Sequence, residues 1–505
     1  MDLSVLSQLL LSFIMLIPIL LIARTVVAGT KYSPILIIVV FGLLMGFLLE
    51  RSGVASAGLP SFSIIVLLSK VTVVVLIVTF FVGGQELNKI ILKRHLDIEE
   101  LVIPSEHEVL LGTKRTQLFY IIRAFFILLA VQGAYVIILG NSGEGGLAKA
   151  YPIITYLGIM GAVIIIDAKA TIKRKPWYIA KGIIEMTGIL AILLLSNFIS
   201  LWIKPVIPLP QIFFAMLISA SLGFLFAKWH FGPTMRSLLF AGIPLVLAAN
   251  FLIGGSRILQ AFNISGMTRV IGYGFFGQLL WMFLGILLLI AVGKANNVRT
   301  LAPGMAGSLS HSGLTGACTA EDLGKEAAAR APIMINIPFF GHIFVFTILA
   351  ASALRGALLV VPAGIVAAAG IVITFLALLK LRKAEGVESK EVTGLMIFCF
   401  GWQLIAVFGS FLIQHIAGIK IWNAAMGASS AISHFGLFAA VLGNMFGHGT
   451  AELIPFIFAM PFLVHPLVFG MFGRAMKNNG AMPVKPVIVL TVIGVIGSVV
   501  SFIWF

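Results

Sequence analysis

The sequence predicts an all-α polytopic membrane protein of about 14 transmembrane helices, with two re-entrant segments in an inverted repeat. Three observations carry this expectation: the composition, the sorting of basic residues between loops, and an internal repeat. Of 505 residues, 60% are hydrophobic and 10% are charged. A soluble domain carries ~25% charged residues, so this chain lacks the polar surface a water-soluble fold needs. Its 52 glycines suit transmembrane helices, which tolerate Gly better than soluble helices do. The formal charge is +16. The basic residues sit in short loops between apolar runs, which marks topogenic charge and excludes a nucleic-acid partner. Cys318 and Cys399 lie in or beside apolar segments and imply neither a disulfide framework nor a zinc knuckle.

A bilayer span needs ~20 apolar residues. The segments that meet this are 4–28, 33–49, 61–83, 117–140, 150–168, 178–202, 209–227, 237–255, 273–293, 332–353, 357–380, 392–416, 450–473 and 483–505. The first has no basic n-region and no clean cleavage site, so it reads as a span and not as a removed signal peptide. The polar stretch 84–116 reads as a cytoplasmic insertion. Two Gly/Ser/Ala-rich stretches, 303–320 and 424–446, are apolar but interrupted. If neither crosses, 24 Lys and Arg residues fall in or beside odd-numbered loops and 7 in even-numbered loops. That bias places the odd loops in the cytoplasm and both termini outside, in the cell inner membrane. If the first stretch crossed, the Lys380–Lys390 cluster would move outside. Both stretches are therefore expected to be re-entrant, and irregular backbone at membrane depth survives only inside protein or along a wet cavity.

Residues 304–346 align with 427–469 at a constant offset of 123, with 14 of 43 positions identical. The matches include Ser310/Ser433, His311/His434, Gly313/Gly436, Pro338/Pro461 and His342/His465. Three spans separate the two interrupted stretches, so the second unit should be inverted relative to the first. The expected organisation is a scaffold-like region 1–256, repeat unit 1 at 257–390 and repeat unit 2 at 391–505. Inverted repeats with broken helices are a mark of secondary transporters.

The candidate substrate- and ion-binding residues lie in the two interrupted stretches. The first supplies Ser310, His311, Ser312, Gly313, Thr315, Thr319 and Asp322. The second supplies Ser433, His434, Gly436, Asn444, Gly447, His448, Thr450 and Glu452. Glycines let the backbone turn and approach closely. Hydroxyls and freed carbonyls can hold Na⁺, and exposed N–H groups suit a substrate carboxylate. Asp322, Glu452 and the neighbouring Glu321 are candidates for ion coupling, because ionisable groups at membrane depth are costly. The alternative for Glu321 and Asp322 is an interfacial charge paired with Lys325 or Arg330. His342 and His465 are expected to pack helices. Lys181 and Glu185, four residues apart, are expected to pair locally. Lys70 could snorkel or pair with Asp167 or Glu185. There is no phosphate-binding Gly-rich loop, no His-Glu-x-x-His and no Gly-x-Ser-x-Gly, so no enzyme is expected. A metal enzyme would need His311, His342, His434, His448 and His465 to converge.

The stretch Ser310-His311-Ser312-Gly313-Leu314-Thr315-Gly316-Ala317-Cys318-Thr319-Ala320 resembles the Gly-His-Cys-Gly-Phe and Gly-Ala-Thr-Pro-Thr runs of the bacterial sodium/glutamate symporter family. Gly447-His448-Gly449-Thr450 is similar to that family's Gly-Gly-His-Gly-Thr, and Phe80-Phe81-Val82-Gly83-Gly84 follows the third span in a similar way. The order of the two motifs is reversed here, and the chain has additional spans within 117–204. The resemblance implies an elevator-type secondary transporter, with 273–505 moving as a transport domain and the earlier spans forming a scaffold and a homodimer interface. The expected cargo is a small organic anion such as glutamate, carried by symport with Na⁺ (or H⁺) and no other cofactor. The alternative within the class is a cation/proton antiporter.

Overall fold

The computed structural model describes residues 3–27, 34–53, 71–91, 114–139, 151–162, 177–205, 209–309, 334, 336–338, 340–384, 388–432, 456–457 and 459–503. Among them, helices are joined by turns and short connections, with one isolated bridge between Asn297 and Ala481. In chain order they are α1 (Leu3–Val27), α2 (Pro34–Arg51), α3 (Thr72–Ile91), α4 (Lys114–Leu139), α5 (Tyr151–Ala162), α6 (Trp177–Ile203) and α7 (Gln211–Leu225). Next come α8 (Pro233–Ser237), a π-helical turn at Leu238–Gly242, α9 (Ile243–Ser256) and α10 (Ile258–Phe262). The remainder are α11 (Met267–Ala291), α12 (Val298–Ser308), α13 (His342–Arg355), α14 (Val360–Arg382), α15 (Glu388–Ile416), α16 (Ile421–Ala431), α17 (His465–Lys477) and α18 (Val484–Ile503). Among the described residues, eight stretches are long and apolar enough to cross a membrane: Leu118–Leu139, Ile179–Ile203, Thr234–Ser256, Met267–Ala291, Val360–Arg382, Lys390–Ile416, Ala459–Lys477 and Val484–Ile503. Fourteen are expected from sequence; α1, α3, α5, α7 and α13 contribute the shorter apolar stretches Leu10–Val26, Val73–Asn88, Tyr151–Ala162, Gln211–Leu225 and His342–Arg355.

Several boundaries differ from the sequence expectation. The insertion does not begin at residue 84, because α3 continues through Gly83-Gly84 to Ile91. Gln85, Glu86 and Asn88, which look like loop residues, are buried. The reason is the end of α7, whose last carbonyls have no partner within their own helix. Asn88 Nδ2 donates to Phe224 O at 2.8 Å, and Gln85 Nε2 donates to Trp229 O at 2.9 Å. Polar side chains therefore extend α3 instead of ending it. The stretch 332–353 is not one continuous helix either. Turn-type bonds from Phe340 N to Ile337 O and from Gly341 N to Pro338 O interrupt it before α13. Proline lacks the N–H that a continuous ladder needs. Glu185 does not simply pair with Lys181. Its Oε1 accepts from Gly232 N at 2.8 Å and Trp229 Nε1 at 3.4 Å, while the Lys181 ammonium lies 5.2 Å from the Trp229 ring.

In the N-terminal region α2 packs parallel to α9, and α3 packs parallel to α7. Gly42 faces Phe251 and Gly46 faces Gly255; Ile77 O accepts from Ser219, and Asn88 reaches Phe224. Two buried arginines serve the π-helical turn. Arg24 Nη2 donates to Phe240 O at 3.2 Å with its guanidinium 3.8 Å from that ring, and Arg123 Nη1 donates to Ser237 Oγ at 3.2 Å.

The repeat is visible bond by bond. Adding 123 to the bounds of α12 gives those of α16, and the helices before and after follow the same offset within a few residues. Leu309 N bonds to Met305 O at 3.1 Å, and Ile432 N bonds to Ala428 O at 3.2 Å. Gly341 N to Pro338 O is matched by Val464 N to Pro461 O. Gly356 (φ +67°) and Asn479 (φ +55°) take the same left-handed conformation, followed by Ala357 N to Ser352 O and Gly480 N to Ala475 O. Gly and Asn are the residues that reach this region most easily at a helix C-terminus.

The two units also pack reciprocally. The first helix of unit 1 (α11) lies against the last of unit 2 (α18), and the first helix of unit 2 (α15) lies against the last of unit 1 (α14). Likewise α11 meets α16 and α15 meets α12. The equivalent helices α11 and α15 cross antiparallel. Tyr273 meets Ser410 near one end and Gly285 faces Trp402 near the other. Reciprocal contacts between equivalent surfaces are what a two-fold relation produces. The outer faces match as well: Val361/Val484, Ile365/Ile488, Val372/Val495 and Leu376/Val499 are equivalent pairs, all exposed. Such faces suit acyl chains.

Gly46 tests the N-terminal packing. A Cβ there would overlap Leu252 O and lie 2.9 Å from Gly255 Cα, whereas Gly188 has open space around it. Gly46→Val should lower stability by about 1–3 kcal/mol, as overpacking does. Gly188→Ala should leave it unchanged or raise it slightly. Thermal unfolding of the two purified variants beside the wild type checks both.

Candidate functional site

The site is built from the two short helices of the repeat. α12 and α16 have 11 residues each. At 1.5 Å per residue each spans about 16 Å, near half of a ~30 Å hydrocarbon core. Asn297 caps α12 by accepting from Arg299 N at 2.9 Å, an ordinary N-cap. At their other ends both helices stop at fully buried residues, Leu309 and Ile432, with similar backbone angles. The next described residues are Met334 and Phe456.

Ser310, His311, Ser312, Gly313, Thr315, Thr319 and Asp322 lie between these points and outside the described residues. So do Ser433, His434, Gly436, Asn444, Gly447, His448, Thr450 and Glu452, together with Lys70, Asp167 and Glu321. The described residues at the ends of α12 and α16 have their own partners. At the end of α12, Gly304 O accepts from Ser308 Oγ at 2.7 Å and from Cys399 Sγ at 3.1 Å. The same thiol lies 3.8 Å from Met334 Sδ. One turn further along α15, Gln403 Nε2 lies 3.4 Å from His342 Nε2, so the amide donates when the ring is protonated on Nδ1. His342 is fully buried, with its ring 5.7 Å from Phe346. At the end of α16, Ser430 Oγ donates to Ile457 O at 2.7 Å.

A buried polar network joins α16 to the helix crossing. Tyr273 OH and Trp281 Nε1 lie 2.8 and 2.9 Å from Ser410 Oγ. Trp402 Nε1 donates to Trp281 O at 3.2 Å. Gln414 Nε2 donates to Ser410 O at 3.1 Å and to Ala424 O at 2.9 Å, which ties α15 to α16. On the other side, Thr300 Oγ1 of α12 donates to Glu391 of α15.

The repeat meets the N-terminal region at equivalent segments. Asn336 Nδ2 donates to Phe80 O of α3 at 3.4 Å, and the Phe462 ring lies 5.3 Å from Phe251 of α9. Among the described residues no three His, Cys, Asp or Glu side chains converge as a metal site. Of the five histidines the metal reading needs, His342 alone has a described side chain.

Sequence reasoning missed Glu86, Asn336, Gln403 and the Tyr273–Ser410–Gln414 network. A polar residue inside an otherwise apolar span is the signal that could have found most of them. No family model, curated protein or solved structure matches the chain.

Gln414 carries the tie between α15 and α16. Gln414→Leu should cost about 0.6–2 kcal/mol, the range for an interhelical hydrogen bond inside a membrane. It should also raise amide exchange across 421–431 more than across 298–308. Hydrogen-exchange mass spectrometry reads that difference.

Proposed function

We propose that the chain is a secondary active transporter that couples Na⁺ to the symport of a small, glutamate-like organic anion by elevator-type alternating access. The observation that carries this reading is the antiparallel crossing of α11 and α15, equivalent helices of two units that pack reciprocally. Two such units can exchange roles, which provides two conformations of similar energy, one open to each side. The half-bilayer length of α12 and α16 and their buried ends support reading 303–320 and 424–446 as re-entrant. The 24-to-7 loop bias supports 14 spans with both termini outside the inner membrane. On this reading the serines, threonines, glycines and histidines after Leu309 and Ile432 would hold cargo and ion. The earlier helices would form the scaffold and a homodimer interface.

Proteoliposomes containing the protein and an outward-directed or inward-directed Na⁺ gradient test the reading with radiolabelled L-glutamate and a panel of small carboxylates. Accumulation that follows the inward Na⁺ gradient, and collapses with a Na⁺ ionophore, is the expected result. Cation efflux exchanged for protons without anion uptake would favour the antiporter. Fluxes indifferent to both Na⁺ and pH gradients would sink the transporter reading.

A further inference from the structure

At one end of the repeat, a backbone bridge gathers basic residues from two distant parts of the chain. Antiparallel packing sets the end of α11 beside the start of α18: Gly272 faces Ser501, Gly497 faces Phe276 and Gly494 faces Leu280. The connection after α11 then bonds to the connection before α18. Val298 N donates to Gly480 O at 2.7 Å, and Met482 N donates to Asn296 O at 3.1 Å and to Asn296 Oδ1 at 3.0 Å. Lys294 and Arg299 flank one bonded segment, and Lys477 and Lys485 flank the other. Arg474 lies three residues before Lys477 on the same face of α17. All five are exposed. Neither 257–308 nor 465–505 contains an acidic residue. Glu391 of α15, which reaches this end, is engaged by Thr300 Oγ1.

Apolar tracks run behind these cations. On α17, Leu467, Gly470, Arg474 and Lys477 follow at helical spacing, and all are exposed. A Cβ at Gly470 would meet no atom within 4 Å, so nothing in the protein fills that face. On α18, Lys485 is followed along one face by Ile488, Val492, Ile496 and Val499, all exposed. Each helix thus presents a cation at its end and a hydrocarbon track behind it. The positions related by the offset of 123 are Ala417, Trp422, Ala351, Leu354 and Pro362, none of them charged. Because α11 and α15 cross antiparallel, those positions lie at the opposite end, where the matching connections carry Arg355 and Lys420. Topogenic charge accounts for which end is basic. It does not call for two segments 186 residues apart to be bonded together, free of carboxylates, above apolar tracks.

We propose that this end of the repeat binds an anionic phospholipid. Its phosphate lies among Arg474, Lys477 and Lys485, with Lys294 and Arg299 beside them, and its acyl chains run along α17 and α18. Basic clusters between membrane helices attract anionic headgroups in this way. The inference needs helices in a bilayer and does not need the transport reading.

Delipidated full-length protein in a neutral detergent is titrated with dioleoyl phosphatidylglycerol, with dioleoyl phosphatidylcholine and with inorganic phosphate, and bound lipid is counted by native mass spectrometry. Phosphatidylglycerol should bind about tenfold or more tightly than phosphatidylcholine, and inorganic phosphate should not displace it. The combined change Arg474→Gln, Lys477→Gln and Lys485→Gln should weaken phosphatidylglycerol binding about a hundredfold. The pair Arg355→Gln and Lys420→Gln, at the other end, should leave it unchanged. Equal affinity for the two lipids would overturn the proposal, as would equal losses in the two sets of variants. Full displacement by inorganic phosphate would overturn it too, by marking a site for a free anion. Should the triple variant not fold, a phosphatidylglycerol with a photoactivatable acyl chain decides on the wild type. Its label should fall on 465–499 and not on the equivalent 342–376, and the reverse would overturn the proposal.

Discussion

A bilayer offers no hydrogen bonds, so every carbonyl freed by a broken helix must find a donor inside the protein. This constraint governs where the chain places its polar side chains. Phe224 near the end of α7 and Trp229 just beyond it are served by Asn88 and Gln85, the π-helical turn by Arg24, Gly304 of α12 by Ser308 and Cys399, and Ala424 of α16 by Gln414. Ile457 and Phe80, each beside a segment that interrupts the repeat, are served by Ser430 and Asn336. In most of these cases the donor comes from a neighbouring helix. Satisfying the backbone is thus also what fastens the helices together.

The repeat is symmetric in backbone and asymmetric in chemistry. Tyr273, Trp281, Ser410 and Gln414 correspond to Met396, Leu404, Leu287 and Ala291 in the other unit. The hydrogen bonds that Tyr273, Trp281 and Gln414 make around Ser410 therefore have no counterpart at the equivalent positions of the other unit. Apolar contacts are non-directional, whereas hydrogen bonds are lost within a fraction of an ångström. The ties of α12 and α16 to α15 accordingly differ in kind: Thr300 and Gly304 of α12 bond to Glu391 and Cys399, whereas Ala424 of α16 accepts from Gln414. Two backbones of equal shape need not have equal stiffness.

Much of this was legible in the sequence. The offset of 123, read from shared Ser-His, Pro and Gly positions, is the offset at which the backbone bonds repeat. Helical spans followed from apolar runs, because burial in lipid leaves a strong compositional trace. The errors fell where polar residues sit inside helices. Gln85, Glu86 and Asn88 look like the start of a loop, since nothing local reveals that the open end of α7 lies beside them, some 136 residues away for Asn88. The π-helical turn at 238–242 was equally hidden, since its support comes from Arg24 and Arg123 on distant helices. Local sequence reports propensity, and these features depend on partners far along the chain. The candidate ligands from Ser310 to Asp322 and from Ser433 to Glu452 lie outside the described residues, so their placement still rests on the motif reading.

The distribution of buried charge gives the architecture a direction. Among the described residues, Arg24, Glu86, Arg123 and Glu185 are buried, and all four belong to the N-terminal region. The buried polar residues described in the repeat are hydroxyls, amides and one imidazole. Moving a fixed charge through a bilayer is costly, and a neutral group carries a far smaller penalty. Among the described residues the repeat therefore holds its core with neutral polar groups, which are far cheaper to bury than fixed charge, and leaves the buried charges to the helices before it.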